Sequence, residues 1–303
     1  MRSKNTMDMQ ILSKKFCEYS TFIKGFASKT TIRYRQVISY YYSFAKINNI
    51  EEVTPDNLRA LFYYGRTERK WTPNTFLHYH KSLKVFFRWC IKNGYMKINL
   101  MDDIEVPKLE NRLPAKLTKQ EAMKILEVVS NYPWESSFLR HRNYAIFSMF
   151  MFAGLRKKEL LNLKYMDVDI ENLSIFIRQG KGSKDRVIPM SLTLAQNLKK
   201  YLEERKKTRK TCPSFFASAN LDMGLSESGL LRLIKRIKTI TGIKYSCHTL
   251  RHTFATLLLE GGTDLYSLSR MLGHTNIKTT TIYLYASVEH LRGEMMKHPL
   301  NNM

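Results

Sequence analysis

The stretch Val106-Pro107 to Pro114-Ala115-Lys116-Leu117 constrains this chain more than any other, because it places two prolines seven residues apart. Proline lacks a backbone donor and biases the residue before it away from the helical region, so the stretch is expected to be an extended linker. Directly behind it, Thr118-Lys119-Gln120-Glu121 has the spacing of a capping box and predicts the start of a new helix. The chain therefore divides into a first unit over 1–105, a linker over 106–116 and a second unit over 117–303. At 303 residues, both units are long enough to bury a core of their own.

The first unit reads as helices. Thr54-Pro55 and Thr72-Pro73 each set a capping hydroxyl before a proline at the first helical position. Ile32, Val37, Tyr40, Tyr41 and Phe44 recur between Thr30 and Ile47, and Phe76, Leu83, Phe86, Phe87 and Trp89 between Thr75 and Ile91. Such spacing predicts core-facing helices. The second unit reads as mostly helical with a small β element. Leu173 to Arg178 is short, β-branched and alternating, and Arg186 to Met190 is its expected partner across a glycine-bearing turn. The fold class expected is mainly α: a helical N-terminal domain, then a mixed α/β domain holding one small hairpin sheet.

Charge narrows the function. Fifty Lys and Arg against 26 Asp and Glu give a formal net charge of +24, which calls for a polyanionic partner. No run approaches the roughly 20 apolar residues that span a bilayer, and the first eight residues lack the apolar core of a signal peptide. Cys17, Cys90, Cys212 and Cys247 stand alone, without paired spacing, as reduced and mostly buried thiols would. A cytoplasmic, nucleoid-associated protein is the expectation. In the first unit, Arg33, Arg35, Lys81, Lys84 and Arg88 interleave with aromatics; they form either a solvated face or a stripe facing DNA phosphates.

Four islands in the second unit carry chemistry. They are Ala153-Gly154-Leu155-Arg156-Lys157-Lys158-Glu159, Gly180-Lys181-Gly182-Ser183-Lys184-Asp185-Arg186, His248-Thr249-Leu250-Arg251-His252, and Leu272-Gly273-His274 running on to Tyr283. Arginine suits a phosphate because its planar guanidinium donates two parallel hydrogen bonds and stays charged. Arg156 follows an apolar run at the turn into a new helix, a poor place for a solvating residue and a good one for an anion site. Lys181, between two glycines, can reach into a cleft, and beside two arginines its pKa should fall, which fits a general acid. The Gly-Lys-Gly spacing is not that of a nucleotide-binding P-loop. His248 and Arg251, three apart, share one helix face. His248 and His252 would alternatively suit a zinc ion, but the acidic residue of the H-E-x-x-H pattern is missing. Tyr283 lies on the helix after the Leu-Gly-His turn, with Tyr285 as the alternative nucleophile on another helix face. Glu159 is expected to orient an arginine or brace a helix start, and His252 to pack structurally.

Taken in order, these islands resemble the tyrosine recombinase (phage integrase) family, in its Xer-type and short integrase branches, over nearly the whole chain. The resemblance implies that Arg156, Lys181, His248, Arg251, His274 and Tyr283 are catalytic, with Lys181 rather than Lys184 as the lysine. It implies a clamp around duplex DNA, two recombination sites held by a tetramer of this chain, a 3′-phosphotyrosine intermediate and a Holliday junction. Neither a metal nor a cofactor is implied, since phosphotyrosine conserves the bond energy. Accessory DNA-bending proteins or a partner recombinase are compatible with it. The first unit becomes a core-type DNA-binding domain. Val288, Leu291 and Met295 would lie on a terminal helix that links protomers, or else packs on its own domain. The additional N-terminal domain of larger phage integrases, and an insertion before His248, are expected to be absent. A type IB topoisomerase and a non-catalytic DNA-binding protein are the rival readings.

Overall fold

The computed structural model of the chain describes residues 7–108, 114–178, 185–274, 276–286 and 296, without the side chains at 278, 285 and 286. Two compact units, Met1–Asn111 and Arg112–Met303, divide it.

Among the described residues, four α-helices make the first unit: α1 (Met9–Glu18), α2 (Ser28–Ala45), α3 (Pro55–Thr67) and α4 (Pro73–Lys92). Both Thr-Pro pairs start helices. The Thr54 hydroxyl accepts from the Asn57 amide, and that of Thr72 from the Thr75 amide, with proline at the first turn of each helix. Phe16, Ile38, Tyr41, Phe86 and Phe87 fill the core. Ile32 does not join them, being 51% exposed. The buried face of α2 runs through Thr31, Tyr34, Val37, Ile38 and Tyr41, and Ile32 is turned about 100° off its start. Arg33, Arg35, Lys81 and Arg88 are exposed and Lys84 is half-buried. The Arg33 guanidinium lies 5.5 Å from the Tyr34 ring centre, and Lys84 pairs with Asp102 at 2.5 Å. Lys81, Lys84 and Arg88 fall on one stripe of α4 by their spacing.

The second unit opens with α5 (Lys119–Asn131), capped reciprocally by Thr118 and Glu121 as the capping-box spacing predicts. Next comes α6 (Ser137–Phe152), whose Ala145, Ile146, Phe147, Met149 and Phe150 are all fully buried. A helix apolar on every side belongs at the centre, and α6 packs against α5 and against α8 (Leu192–Lys207) and α10 (Cys247–Glu260). The remaining helices are α7 (Lys157–Asn162), α9 (Glu227–Thr241), α11 (Leu265–Leu272) and α12 (Thr281–Ala286).

The sheet has three antiparallel strands in the order β1 (Val168–Asp169), β2 (Ser174–Ile177), β3 (Arg186–Pro189). Ile175 pairs with Ile188 and Ile177 with Arg186. The expected hairpin is present but shorter, and it gains β1. Leu173 is left out of the strand because it takes a left-handed conformation, φ 49°, at the end of the turn from Asp169. The turn carrying Lys181 and Lys184 lies outside the described residues.

Two apolar clusters hold this unit. The larger surrounds α6. A smaller one gathers Phe254, Ala255, Leu259, Leu268, Leu272 and Tyr283 from α10, α11 and α12. Helix α10 spans both, since its Cys247 and Leu250 belong to the first cluster. All four cysteines are free and buried. No described helix is long and apolar enough to cross a membrane.

Candidate active site

Residues far apart in the chain meet where α10 passes from the larger cluster to the smaller. Two glycines in left-handed conformations deliver the chain there. Gly154, φ +60°, ends α6, and a Cβ on it would stand 2.2 Å from the Phe254 ring. Gly273, φ +63°, caps α11, and a Cβ there would stand 2.7 Å from Arg186 Cδ. Only glycine takes such positions without strain and with so little room.

The carbonyls beside these turns fix the guanidinium of Arg251. Its Nη1 donates to Gly154 O and its Nη2 to Leu272 O, each at 2.6 Å. Arg251 is 3% exposed. Burial, followed by the charge of Arg156, lowers its pKa to about 10, so it remains a cation at neutral pH.

Arg156 precedes α7. Its backbone N–H donates to Glu159 Oε2 at 2.8 Å, its Nη1 to Glu159 Oε1 at 2.7 Å, and its Nη2 to Gly273 O at 3.4 Å. The same carboxylate takes two bonds of 2.9 Å from Arg186, whose Nε donates to Met271 O at 2.8 Å. Arg251 Nη1 stands 3.7 Å from it. Burial alone would raise the pKa of Glu159, but the hydrogen bonds and charges of Arg186 and Arg156 hold it at about 2. Glu159 thus performs both expected tasks, orienting arginine and bracing the start of α7.

The histidines differ in their surroundings. His274 Nδ1 lies 2.8 Å from Thr280 Oγ1, and its Nε2 faces Arg251 Nη2 at 3.5 Å. Arginine only donates, so this pairing places the ring proton on Nδ1. His248 faces solvent from the same helix as Arg251. Partial desolvation and the charges of Arg251, Lys157 and Arg156 lower its pKa. Because the ring reaches water, the neighbouring guanidinium is the firmer of these causes.

Tyr283 is 2% exposed, within the smaller cluster. Its hydroxyl lies 2.9 Å from His252 Nδ1, and the His274 ring runs nearly parallel to its own, at 12° with centroids 6.4 Å apart. Burial raises the pKa of the phenol, against a downward pull from Arg251 and Arg156. His252, expected to pack structurally, meets the tyrosine hydroxyl. The structure brings Arg156, Arg251, His274 and Tyr283 into one connected set, with His248 one turn from Arg251. Lys181 and the side chain of Tyr285 lie outside the described residues.

The model of the phage integrase family matches residues 115–290, and that of the phage integrase N-terminal SAM-like domain matches residues 12–96. The chain belongs to the phage integrase family. It is 34% identical over 271 residues to tyrosine recombinase XerA of Thermococcus kodakarensis, covering 83% of this chain and 92% of that relative. Tyrosine recombinase XerC of Thermodesulfovibrio yellowstonii is 31% identical over 296 residues, covering 94% of this chain and 95% of its own. Among solved structures, the XerH site-specific recombinase bound to a palindromic difH substrate shares the fold. Its TM-score is 0.73 at 24% identity, over 95% of this chain and 84% of that one. Of the readings the sequence left open, these similarities select a site-specific tyrosine recombinase, an enzyme that breaks and rejoins DNA strands.

Two members of this recombinase's site escaped sequence reasoning. Arg186 was visible at the edge of the glycine-lysine island, but its partner Glu159 is 27 residues away. His252 was visible one position after Arg251, but the tyrosine it meets is 31 residues on.

Proposed function

We propose that Tyr283 is the nucleophile of this recombinase, attacking a phosphodiester of double-stranded DNA to form a 3′-phosphotyrosine. Arg156 and Arg251 bind the non-bridging oxygens, with His248 beside them as a further donor and His274 set against Arg251 through Nε2. Lys181 protonates the leaving 5′ oxygen. The helical unit, with Arg33, Arg35, Lys81, Lys84 and Arg88 facing phosphates, holds the duplex near the cleavage point. Four copies assemble on two sites, linked through the segment from Val288 onward, and exchange strands through a Holliday junction. Cutting and rejoining in this way serves integration, excision or dimer resolution.

The observation that carries this reading is the charge around Glu159. Three guanidiniums, Arg156, Arg186 and Arg251, surround one carboxylate, and the charges of Arg251 and Arg156 reach the buried Tyr283 hydroxyl. The cluster keeps two positive charges in excess. A phosphodiester carries one negative charge and gains a second as a deprotonated phenol adds, so the excess matches the transition state better than the substrate. Preorganised charge of that kind lowers the barrier rather than merely tightening binding.

The test is Tyr283→Phe on a nicked duplex that traps the cleaved state. The variant should bind DNA as the wild type does and form no covalent adduct. A normal yield of adduct would move the nucleophile elsewhere, with Tyr285 next to be replaced.

A further inference from the structure

A buried phenol cannot attack phosphorus until its proton leaves. Tyr283 is almost closed to solvent, so water is a poor acceptor for that proton. Nearby bases differ in position. His274 has Nδ1 engaged by Thr280 and Nε2 turned to Arg251, so both nitrogens already have partners. His248 faces solvent. Glu159 is occupied by guanidiniums. His252, half-buried on α10, has Nδ1 at 2.9 Å from the Tyr283 hydroxyl, with ring centroids 5.5 Å apart. That separation is within the reach a general base needs.

We propose that His252 is the general base of strand cleavage, taking the Tyr283 phenol proton on Nδ1 as the oxygen attacks phosphorus. The inference rests on Tyr283 being the nucleophile. As the O–H bond breaks, the lone pair of Nδ1 receives the proton and the ring becomes an imidazolium. The freed electron pair on the phenolic oxygen forms the new bond to phosphorus. The bond from phosphorus to the 5′ oxygen breaks, and that oxygen takes its proton from the general acid assigned to Lys181. Rejoining reverses each movement, and the imidazolium returns its proton to the departing phenol. Nothing is consumed.

Two further features fit. Burial first, then the charges of His248 and Arg251, lower the pKa of His252, so its ring rests neutral with a lone pair to offer. The neighbouring guanidinium also makes the imidazolium a short-lived state that surrenders its proton readily during rejoining.

The experiment measures single-turnover adduct formation by the full chain on a nicked duplex, alongside DNA binding. His252→Ala should bind DNA normally and form adduct about 100-fold more slowly, the lower range for loss of a general base. Added imidazole should restore the rate of His252→Ala in proportion to its concentration. Placing 3,5-difluorotyrosine at position 283 lowers the phenol pKa and should speed His252→Ala far more than the wild type. His252→Asn keeps a hydrogen-bonding group near Nδ1 without a basic nitrogen and should remain slow. Wild-type rates in His252→Asn would reduce His252 to a positioning residue and overturn the proposal. Wild-type rates in His252→Ala, or a slow variant that neither imidazole nor fluorination restores, would overturn it as well. Tyr283→Phe separates the two readings: an adduct from that variant defeats the nucleophile assignment, whereas its loss together with fast His252 variants defeats only the base.

Discussion

Glutamine in place of Glu159 removes one charge from the centre of the site and changes little else in size. The carboxylate receives a backbone bond and a side-chain bond from Arg156 and two bonds from Arg186, and it is 7% exposed. Its pKa is held at about 2 against an ordinary 4.5. A carboxyl whose pKa is depressed on folding stabilises the folded state above its unfolded pKa, and that contribution is lost as pH falls through the folded value. A shift of this size corresponds to on the order of 3 kcal/mol, at about 1.4 kcal/mol per pH unit. Glutamine also turns an amide donor toward guanidiniums that can only donate. The cost should therefore fall in the 3–5 kcal/mol range typical of a broken buried pair. For a unit of this length, each kcal/mol shifts melting by about 2–4 °C, so Glu159→Gln should melt roughly 6–20 °C lower at pH 7. The gap should close as pH falls from about 4.5 toward 2, where the wild type loses the same charge. Inorganic phosphate or duplex DNA should stabilise the variant more than the wild type, because an anion replaces the missing charge. The assay is thermal unfolding followed by circular dichroism, with and without phosphate, across that pH range. Melting within 2 °C of wild type at pH 7 would refute the account of Glu159 as the counter-charge that holds the arginines together.

Two predictions concern the reaction itself. Arg251→Lys keeps a positive charge but loses the fork spanning Gly154 O and Leu272 O, so cleavage should fall about 10²–10³-fold while DNA binding persists; cleavage within threefold of wild type rules this out. Lys181→Ala should cleave an ordinary phosphodiester poorly yet cleave one with a 5′-bridging sulfur nearly normally, since a thiolate leaves without a proton; equal impairment of both substrates would deny Lys181 the role of general acid.

The sequence was most informative where interactions are local. Helix starts at Thr54, Thr72 and Thr118 are set by hydroxyls and prolines within three residues, and each appears as its spacing predicts. The β2–β3 hairpin was legible for the same reason, whereas the two-residue β1 was not, nor was the loss of Leu173, whose left-handed backbone leaves no mark in a hydrophobic alternation. Ile32 misled because a helix buries only one face, and composition alone does not say where that face begins. Arg156, Arg251, His274 and Tyr283 were identified through the order of their islands, not through any one residue type. What spacing could not give was the wiring between islands. Glu159 joins arginines from three separate segments, and the partnership of His252 with Tyr283 depends on how α12 folds back on α10.

Among the described residues, Tyr283 belongs to the smaller of the two apolar clusters in its unit, with six buried side chains, while α6 and its neighbours form a far larger one. Free energies of local opening scale with what an element buries, and they need not approach that of the whole domain. The described part of the helix that carries Tyr283, Thr281–Ala286, docks on α10. It does so through that cluster and through the contact of the Tyr283 hydroxyl with His252. Detaching α12 would therefore leave the Arg251 carbonyl clasp and the central helix standing. Tyr283 and Arg251 are thus separable in stability: one is mounted on α12 at the smaller cluster, the other is clasped by the turns that follow α6 and α11. Under the assignment proposed above, the attacking tyrosine can move away while the Arg251 guanidinium stays clasped in place.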